Sequence, residues 1–446
     1  MPGNKYYYGW KSLTGLLFGN QLYFGWKVVT GLFLNYMAIV GIMVYTLPLF
    51  YPSIIDEYGY TSDQVTRPAF LAYMIGAVIT PFISPFYDRF SVRKFMVAGT
   101  VFMAAGLFAL SEFQTLTQMI IIYLVFGLGQ VCAGQVPTMV VVTRWFKRRR
   151  GIAMGIVLTS TSVGGAVFPL VVRQVMTSGT WREAIFVLMA ICAVMMAMPV
   201  IFMVRSRPED KGISEAQADP HGLDLSAQTE QQDGPTLRQA LRQPEFYLLA
   251  FATGALWFSL NGVVQHQTIL IGKEMGVGIQ TLTLISSLFF SFAVVGKLAL
   301  GWFSDRFNKT MIMFLSVLNL IVGLLILRFA SGDNITLLYL YAIVYGVGFG
   351  GMFTMIQLVI AEFYAGKSYG RILGILAAVD VGAGGMGIPA VARMQGYFGS
   401  YMPVLEILIG LFVLVAVVVL ILYRLRQAAL AAMVTSSSSV LSQPTG

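Results

Sequence analysis

The sequence predicts an all-α membrane protein with twelve transmembrane helices arranged as two parallel six-helix repeats. Three observations carry this. The chain has 446 residues, of which 57% are hydrophobic and 11% charged, with a mean hydropathy of +0.76. Soluble globular chains carry about 25% charged residues. The apolar residues fall into runs of about 20, the length that crosses a bilayer as a helix. The second half then repeats the motifs of the first in the same order. Transmembrane strands would show short alternating segments instead.

The runs lie near residues 27–50, 66–86, 95–112, 118–143, 152–176 and 184–204, then 246–271, 281–303, 311–328, 336–361, 372–392 and 401–423. Residues 1–26 lack a basic region, apolar core and small-residue cleavage site, so no removable signal is expected. Tyr8-Gly-Trp-Lys11 and Phe24-Gly-Trp-Lys27 mix aromatic and basic residues, which favours the membrane–water boundary. Residues 27–204 form the first bundle and 245–424 the second. Between them, 205–244 turns rich in Gln, Asp and Ser and reads as a flexible linker. His221 lies in it and is given no role. The tail, 425–446, is expected to be disordered. Cys132 and Cys192 both fall inside apolar runs, so no disulfide framework is implied.

The basic residues orient the chain. Arg89, Arg93 and Lys94 follow the second run, Arg144 and Lys147 to Arg150 the fourth, and Arg205, Arg207 and Lys211 the sixth. Arg306 and Lys309 follow the eighth, Lys367 and Arg371 the tenth, Arg424 and Arg426 the twelfth. Excess Lys and Arg marks cytoplasmic loops, so both termini are expected in the cytoplasm. The net charge of +9 is then this bias plus attraction to anionic lipid, with no nucleic-acid partner needed.

Asp88-Arg89-Phe90 recurs as Asp305-Arg306-Phe307. Gly127 and Gly129 are matched by Gly346 and Gly348. Gly151, Gly155 and Gly165 return as Gly370, Gly374 and Gly384, and Pro169 as Pro389. Four matches in order at nearly constant offset are not chance. Six helices separate the copies, so both halves share one orientation. That is the repeat of a rocker-type secondary transporter, whose site lies near the midplane between the halves.

Ser84-Pro-Phe-Tyr-Asp-Arg-Phe-Ser-Val-Arg93 and Gly301-Trp-Phe-Ser-Asp-Arg-Phe307 resemble the loop signature of the major facilitator superfamily, and the likeness covers residues 25–425. The first copy has Ser84 and Ser91 where the pattern prefers glycine. The resemblance implies the major facilitator fold. An Asp at a helix end can accept from Arg and from helix N-termini of the other bundle, so Asp88, Arg89, Arg93, Asp305 and Arg306 are candidate gating residues. The alternative is loop charges that only set topology. Trp145-Phe-Lys-Arg-Arg-Arg-Gly-Ile-Ala-Met-Gly155 and the glycine-spaced helix after it resemble the monocarboxylate-transporter branch, as does Phe24-Gly-Trp-Lys27. Small residues at 151, 155, 160 and 164 let helices approach closely.

Lys297 is the most informative position. It lies inside the eighth apolar run, about 12 Å along a helix from Asp305. A lysine at that depth costs a few kcal/mol on the mildest insertion scale and reads as part of an anion pathway. The bland alternatives are snorkelling or a structural ion pair. By the resemblance, Lys297 stands where the family usually has an arginine that pairs with the substrate carboxylate. Lysine keeps the charge but not the bidentate fork. The aspartate that non-bacterial relatives carry one turn earlier is replaced by Ala293. Asp380, at a similar depth in the eleventh run, is the candidate proton carrier and partner for Lys297; a fixed structural pair is the alternative. His266, titrating near neutrality in its ordinary state, is a second proton-coupling candidate, against the reading that neighbours merely satisfy it. Gln135 falls where relatives often have tyrosine. With Asn35 and Asn261 it completes the substrate-binding candidates.

Enzymatic readings find no support. The sequence lacks a phosphate-cradling glycine motif, a metal-ligand cluster and Gly-x-Ser-x-Gly, so no cofactor or metal is expected. The expected function is a proton-coupled symporter of a small organic monocarboxylate, working as a monomer in a bacterial inner membrane. The alternatives are an organic-anion exchanger of the oxalate or dicarboxylate kind, which would prefer two cations, and efflux of hydrophobic compounds. A non-transporting sensor has no signalling domain to act through.

Overall fold

The computed structural model describes residues 24–146, 150–211, 235–304, 306–364 and 369–441. The first bundle comprises α1 (Phe24–Tyr58), α2 (Ser62–Arg89), α3 (Val92–Ser111), α4 (Leu116–Trp145), α5 (Arg150–Val175) and α6 (Trp181–Phe202). The second comprises α7 (Pro244–Glu274), α8 (Ile279–Ser304), α9 (Lys309–Phe329), α10 (Ile335–Tyr364), α11 (Tyr369–Phe398) and α12 (Met402–Leu441). Eleven described helices are long and apolar enough to cross a membrane. The twelfth, α2, has 28 residues and no charge between Arg67 and Asp88. Loops after even-numbered helices carry most of the basic residues, and that end is called the basic face; the other is the far face.

Local chemistry starts the helices. Thr61, Thr115 and Thr180 open α2, α4 and α6 at the far face with capping boxes closed by Gln64, Gln118 and Glu183. Asn308 caps α9 at the basic face through its bond from the Met311 amide. Within the first bundle, α3 packs on α4 and α6; within the second, α10 packs on α8 and α9, and α7 on α11. Across the bundles, α5 meets α8 and α2 meets α11. The repeat relates these two seams. The helices come close where side chains are absent: a Cβ on Gly41 would stand 2.7 Å from the Gly164 Cα, so α1 and α5 touch backbone to backbone.

Prolines explain three irregularities. Proline lacks an N–H and clashes with the carbonyl four residues earlier. Pro48 thus displaces the Val44 carbonyl and Pro52 that of Pro48, and here α1 runs as a π turn, Gly41–Thr46, and a 3-10 turn, Leu47–Phe50. Pro137 displaces the Ala133 carbonyl, and α4 breaks at Gly134 between Ala133 and Gln135.

Two expectations need correction or bounding. The tail is not disordered from residue 425: α12 continues as helix to Leu441, 40 residues in all. Leu425 to Met433 is built of strong helix formers, so the helix extends past its apolar stretch. Within the linker, Pro208–Lys211 is a 3-10 turn and Leu237–Ala240 a short helix. Residues 212–234 lie outside the described residues, as do 1–23 of the interfacial segment. Its last part is ordered by contact with the other branch-like motif: Phe24 and Trp26 lie 5.5 and 4.9 Å, ring to ring, from Trp145 and Phe146.

Candidate functional site

Among the described residues, side-chain bonds tie the bundles together from the far face to mid-depth. Gln265 Nε2 on α7 donates to the Val44 carbonyl at 3.2 Å, and Thr268 Oγ1 to the Pro48 carbonyl at 2.7 Å. These are the two acceptors freed by Pro48 and Pro52, so side chains of one bundle complete the broken helix of the other. Tyr51 donates to Gln265 Oε1 at 3.2 Å. Further out, Lys273 pairs with Asp56, and Gln280 donates to the Arg173 carbonyl at 3.2 Å. Deeper in, Ser287 donates to the Ala166 carbonyl at 2.6 Å. Among the described residues, the cross-bundle bond nearest the basic face is that of Lys297. Beyond it, a Cβ on Gly155 of α5 or Gly374 of α11 would meet nothing within 4 Å. At these two positions α5 and α11 border open space on the basic-face side of Lys297, and that space is called the cleft.

Lys297 stands at the inner end of that cleft. It is 7% exposed. Its Nζ donates across the seam to the Leu158 carbonyl at 3.1 Å and Thr161 Oγ1 at 3.0 Å, and sits 4.5 Å from the centroid of the Phe353 ring. All three partners are neutral. No ion pair among the described residues includes Lys297. A buried ammonium held only by neutral groups keeps an uncompensated charge.

Lys297 and Asp380 are not paired. Asp380 on α11 is 6% exposed. Thr253 of α7 stands beside its carboxyl but outside hydrogen-bonding geometry, so Asp380 Oδ1 and Thr253 Oγ1 are both buried without a partner. The lysine turns to the first bundle, while the acid faces α7 within its own.

The remaining candidates separate clearly. His266 is 2% exposed inside the second bundle: Nε2 lies 3.0 Å from the Ile388 carbonyl and Nδ1 2.7 Å from the Tyr401 hydroxyl. The carbonyl requires Nε2 to donate, so in the neutral ring Nδ1 accepts from Tyr401. Both ring nitrogens are thus occupied by partners of its own bundle. Asn35 is likewise fully buried; its Nδ2 donates at 2.8 Å to the Ala133 carbonyl that Pro137 displaces, which makes it a staple of the α4 break. Gln135 is exposed where α4 restarts. Asn261 is half-buried against Gly384, beside Trp257. Of the gating candidates, Arg93 donates to the Val200 and Ile201 carbonyls of its own bundle, at 3.1 and 2.6 Å. Arg306 stacks on Trp302 of its own helix, 3.6 Å from the ring centroid. Asp305 and the side chains of Asp88 and Arg89 lie outside the described residues.

Aromatic residues that the sequence reading passed over complete the surroundings. Tyr45 of α1 lies 4.2 Å, ring to ring, from Phe290 of α8 and 6.2 Å from Phe349 of α10. Tyr73 of α2 lies against Gly385 of α11. On the second bundle, Trp257 of α7 meets Phe353 of α10 edge to face at 5.1 Å. Helices from both bundles thus surround one cation at mid-depth, with aromatic walls on either side.

A model of the Major Facilitator Superfamily matches residues 28–269 and 267–439. The chain belongs to this superfamily. It is therefore a multi-pass membrane transporter by family. Among its relatives is the uncharacterized MFS-type transporter YcxA of Bacillus subtilis (strain 168), 24% identical over 361 residues, which are 79% of this chain and 84% of that protein. Another is monocarboxylate transporter 13 of Rattus norvegicus, 24% identical over 347 residues, 76% of each chain. The crystal structure of the nucleoside transporter NupG superposes with a TM-score of 0.70 at 11% identity, covering 90% of this chain and all of that one. That likeness is one of fold.

Proposed function

We propose that this chain is a secondary transporter that moves a small organic carboxylate together with a proton by alternating access. The observation that carries the proposal is Lys297: a buried cation at the bundle seam with neutral partners only among the described residues. A carboxylate entering the cleft supplies the missing charge. Lysine binds it as a point charge, and the Thr161 hydroxyl, 3.0 Å from Nζ, is near enough to hold its second oxygen. In accepting the anion, Lys297 gives up bonds to Leu158 and Thr161, so binding loosens the deepest tie between α5 and α8. That links occupancy to movement of the bundles, through a difference in contacts between two states.

Asp380 is the residue assigned to the proton. Its unpartnered oxygen lies in the bundle opposite α5, separate from the anion site, so proton and carboxylate need not compete for one position. An anion cannot accumulate against an inside-negative potential on its own charge, and a co-transported proton removes that opposition. With the basic face in the cytoplasm, as the charge bias favours, the cleft lies on the inward side of Lys297. The likeness to monocarboxylate transporter 13 supports the substrate class.

The test is binding of carboxylates to the purified protein, read by thermal stabilisation, in the unaltered chain and in Lys297→Gln. The proposal expects stabilisation by at least one organic acid in the former and none in the latter. Equal stabilisation of both would remove the anion anchor.

A further inference from the structure

We propose, resting on the anion site at Lys297, that the carboxylate it takes is an aromatic one, with its ring against Trp257 and Phe353. The argument begins with what compensates Lys297 when no anion is present. Its Nζ lies 4.5 Å from the Phe353 ring centroid, well within the range at which a ring face attracts a cation. A carboxylate that draws the ammonium to itself releases that face. A short aliphatic acid would leave the ring facing water. A ring on the acid takes over the vacated surface, so departure of the cation and arrival of the substrate ring are matched.

The wall continues beyond Phe353. Trp257 meets it at 5.1 Å with 75° between ring planes, the edge-to-face arrangement that leaves part of each ring available to a third. Both side chains are half-buried, so each keeps accessible surface beside the cleft. Trp257 is set there by close packing of α7 on α11: a Cβ on Gly384 would lie 3.5 Å from the Trp257 Cβ. Across the site stands Tyr45, its ring tilted 30° to that of Phe290 at 4.2 Å. The site therefore offers one cation, aromatic surface on two sides and the Thr161 hydroxyl. Among the described residues, no second cation stands with Lys297 to take a dicarboxylate.

Burying a ring-sized apolar group against aromatic surface is expected to raise affinity about 10- to 100-fold over an acid lacking the ring. The experiment is calorimetric titration of the purified full chain with acetate, lactate, benzoate and indole-3-acetate, with neutral indole as control. Trp257→Leu and Phe353→Leu are then titrated with the same acids, after thermal unfolding confirms that each is folded. The expected result is a 10- to 100-fold preference for the aromatic acids, little binding of indole, and collapse of the preference in either variant. Acetate or lactate binding as tightly as indole-3-acetate would overturn the inference and leave the anion anchor standing. Survival of the preference in both variants would overturn the assignment of the ring to this wall. If no acid binds, or if Lys297→Gln binds indole-3-acetate as well as the unaltered chain, the anchor itself fails and this inference with it.

Discussion

Replacing Gln265 with leucine should open the far face. In the structure Gln265 receives the Tyr51 hydroxyl and donates to the Val44 carbonyl, both at 3.2 Å. The substitution removes two cross-bundle bonds and leaves the acceptor freed by Pro48 without a donor. Each bond contributes about 0.5–1.5 kcal/mol net. When the far face opens, water reaches these groups, so the open state loses nothing by the change. The far-closed state therefore loses about 1–3 kcal/mol, a shift of roughly 5- to 150-fold in the ratio of the two conformers. Adding Thr268→Val removes the 2.7 Å bond to the Pro48 carbonyl and should shift the ratio further. Spin labels at Glu112 and Asp333, exposed on far-face loops of opposite bundles, report the change by electron–electron distance measurement, with Cys132 and Cys192 replaced by serine. A longer-distance population should grow in Gln265→Leu and dominate in the double variant. Unchanged distributions in both would show that α1 and α7 are merely packed together there and do not gate.

Two further outcomes follow from the same geometry. Asp380→Asn should retain exchange of carboxylate down its own gradient but lose accumulation driven by an imposed pH gradient in vesicles; accumulation that persists would take the proton from Asp380. Asn35→Ala should cost about 1–3 kcal/mol of stability by orphaning the buried Ala133 carbonyl, seen as a lower unfolding midpoint with ligand affinity unchanged; loss of binding without loss of stability would instead put Asn35 in the substrate site.

The helices and the repeat were legible in the sequence because apolar length and glycine–proline punctuation act locally. So was the depth of Lys297, since an isolated cation needs no partner to be conspicuous. Two motifs read separately, Phe24-Gly-Trp-Lys27 and Trp145-Phe146, prove to touch each other. Direction was not legible. Lys297 and Asp380 lie at similar depth, yet one points across the seam and the other along its own bundle, and nothing in helical spacing separates those choices. His266 and Asn35 are polar residues in apolar runs, as a binding residue would be; only their partners, Tyr401, Ile388 and Ala133, show that packing occupies them. A signal for Asn35, Gln265 and Thr268 did exist. Pro48, Pro52 and Pro137 each displace a known carbonyl, so three buried acceptors must find donors. The sequence names the acceptors but not the helix that supplies them. Tyr45 and Tyr73 left no such trace, because an aromatic residue at a bundle seam and one facing a neighbour in its own bundle share the same periodicity.

The account depends most on Lys297 as the anion anchor, and uptake of labelled carboxylate into vesicles by three proteins tests it directly. Lys297→Arg keeps the charge and should retain substantial uptake. Lys297→Gln replaces it with an amide that cannot offset the desolvation of a buried carboxylate. Loss of a charged hydrogen bond worth about 1.5–3 kcal/mol should then weaken binding by roughly 10- to 150-fold. The account predicts uptake by the unaltered and arginine proteins and, at subsaturating substrate and equal amounts in the membrane, uptake by the glutamine protein lower by about that factor. Normal accumulation by Lys297→Gln would contradict it.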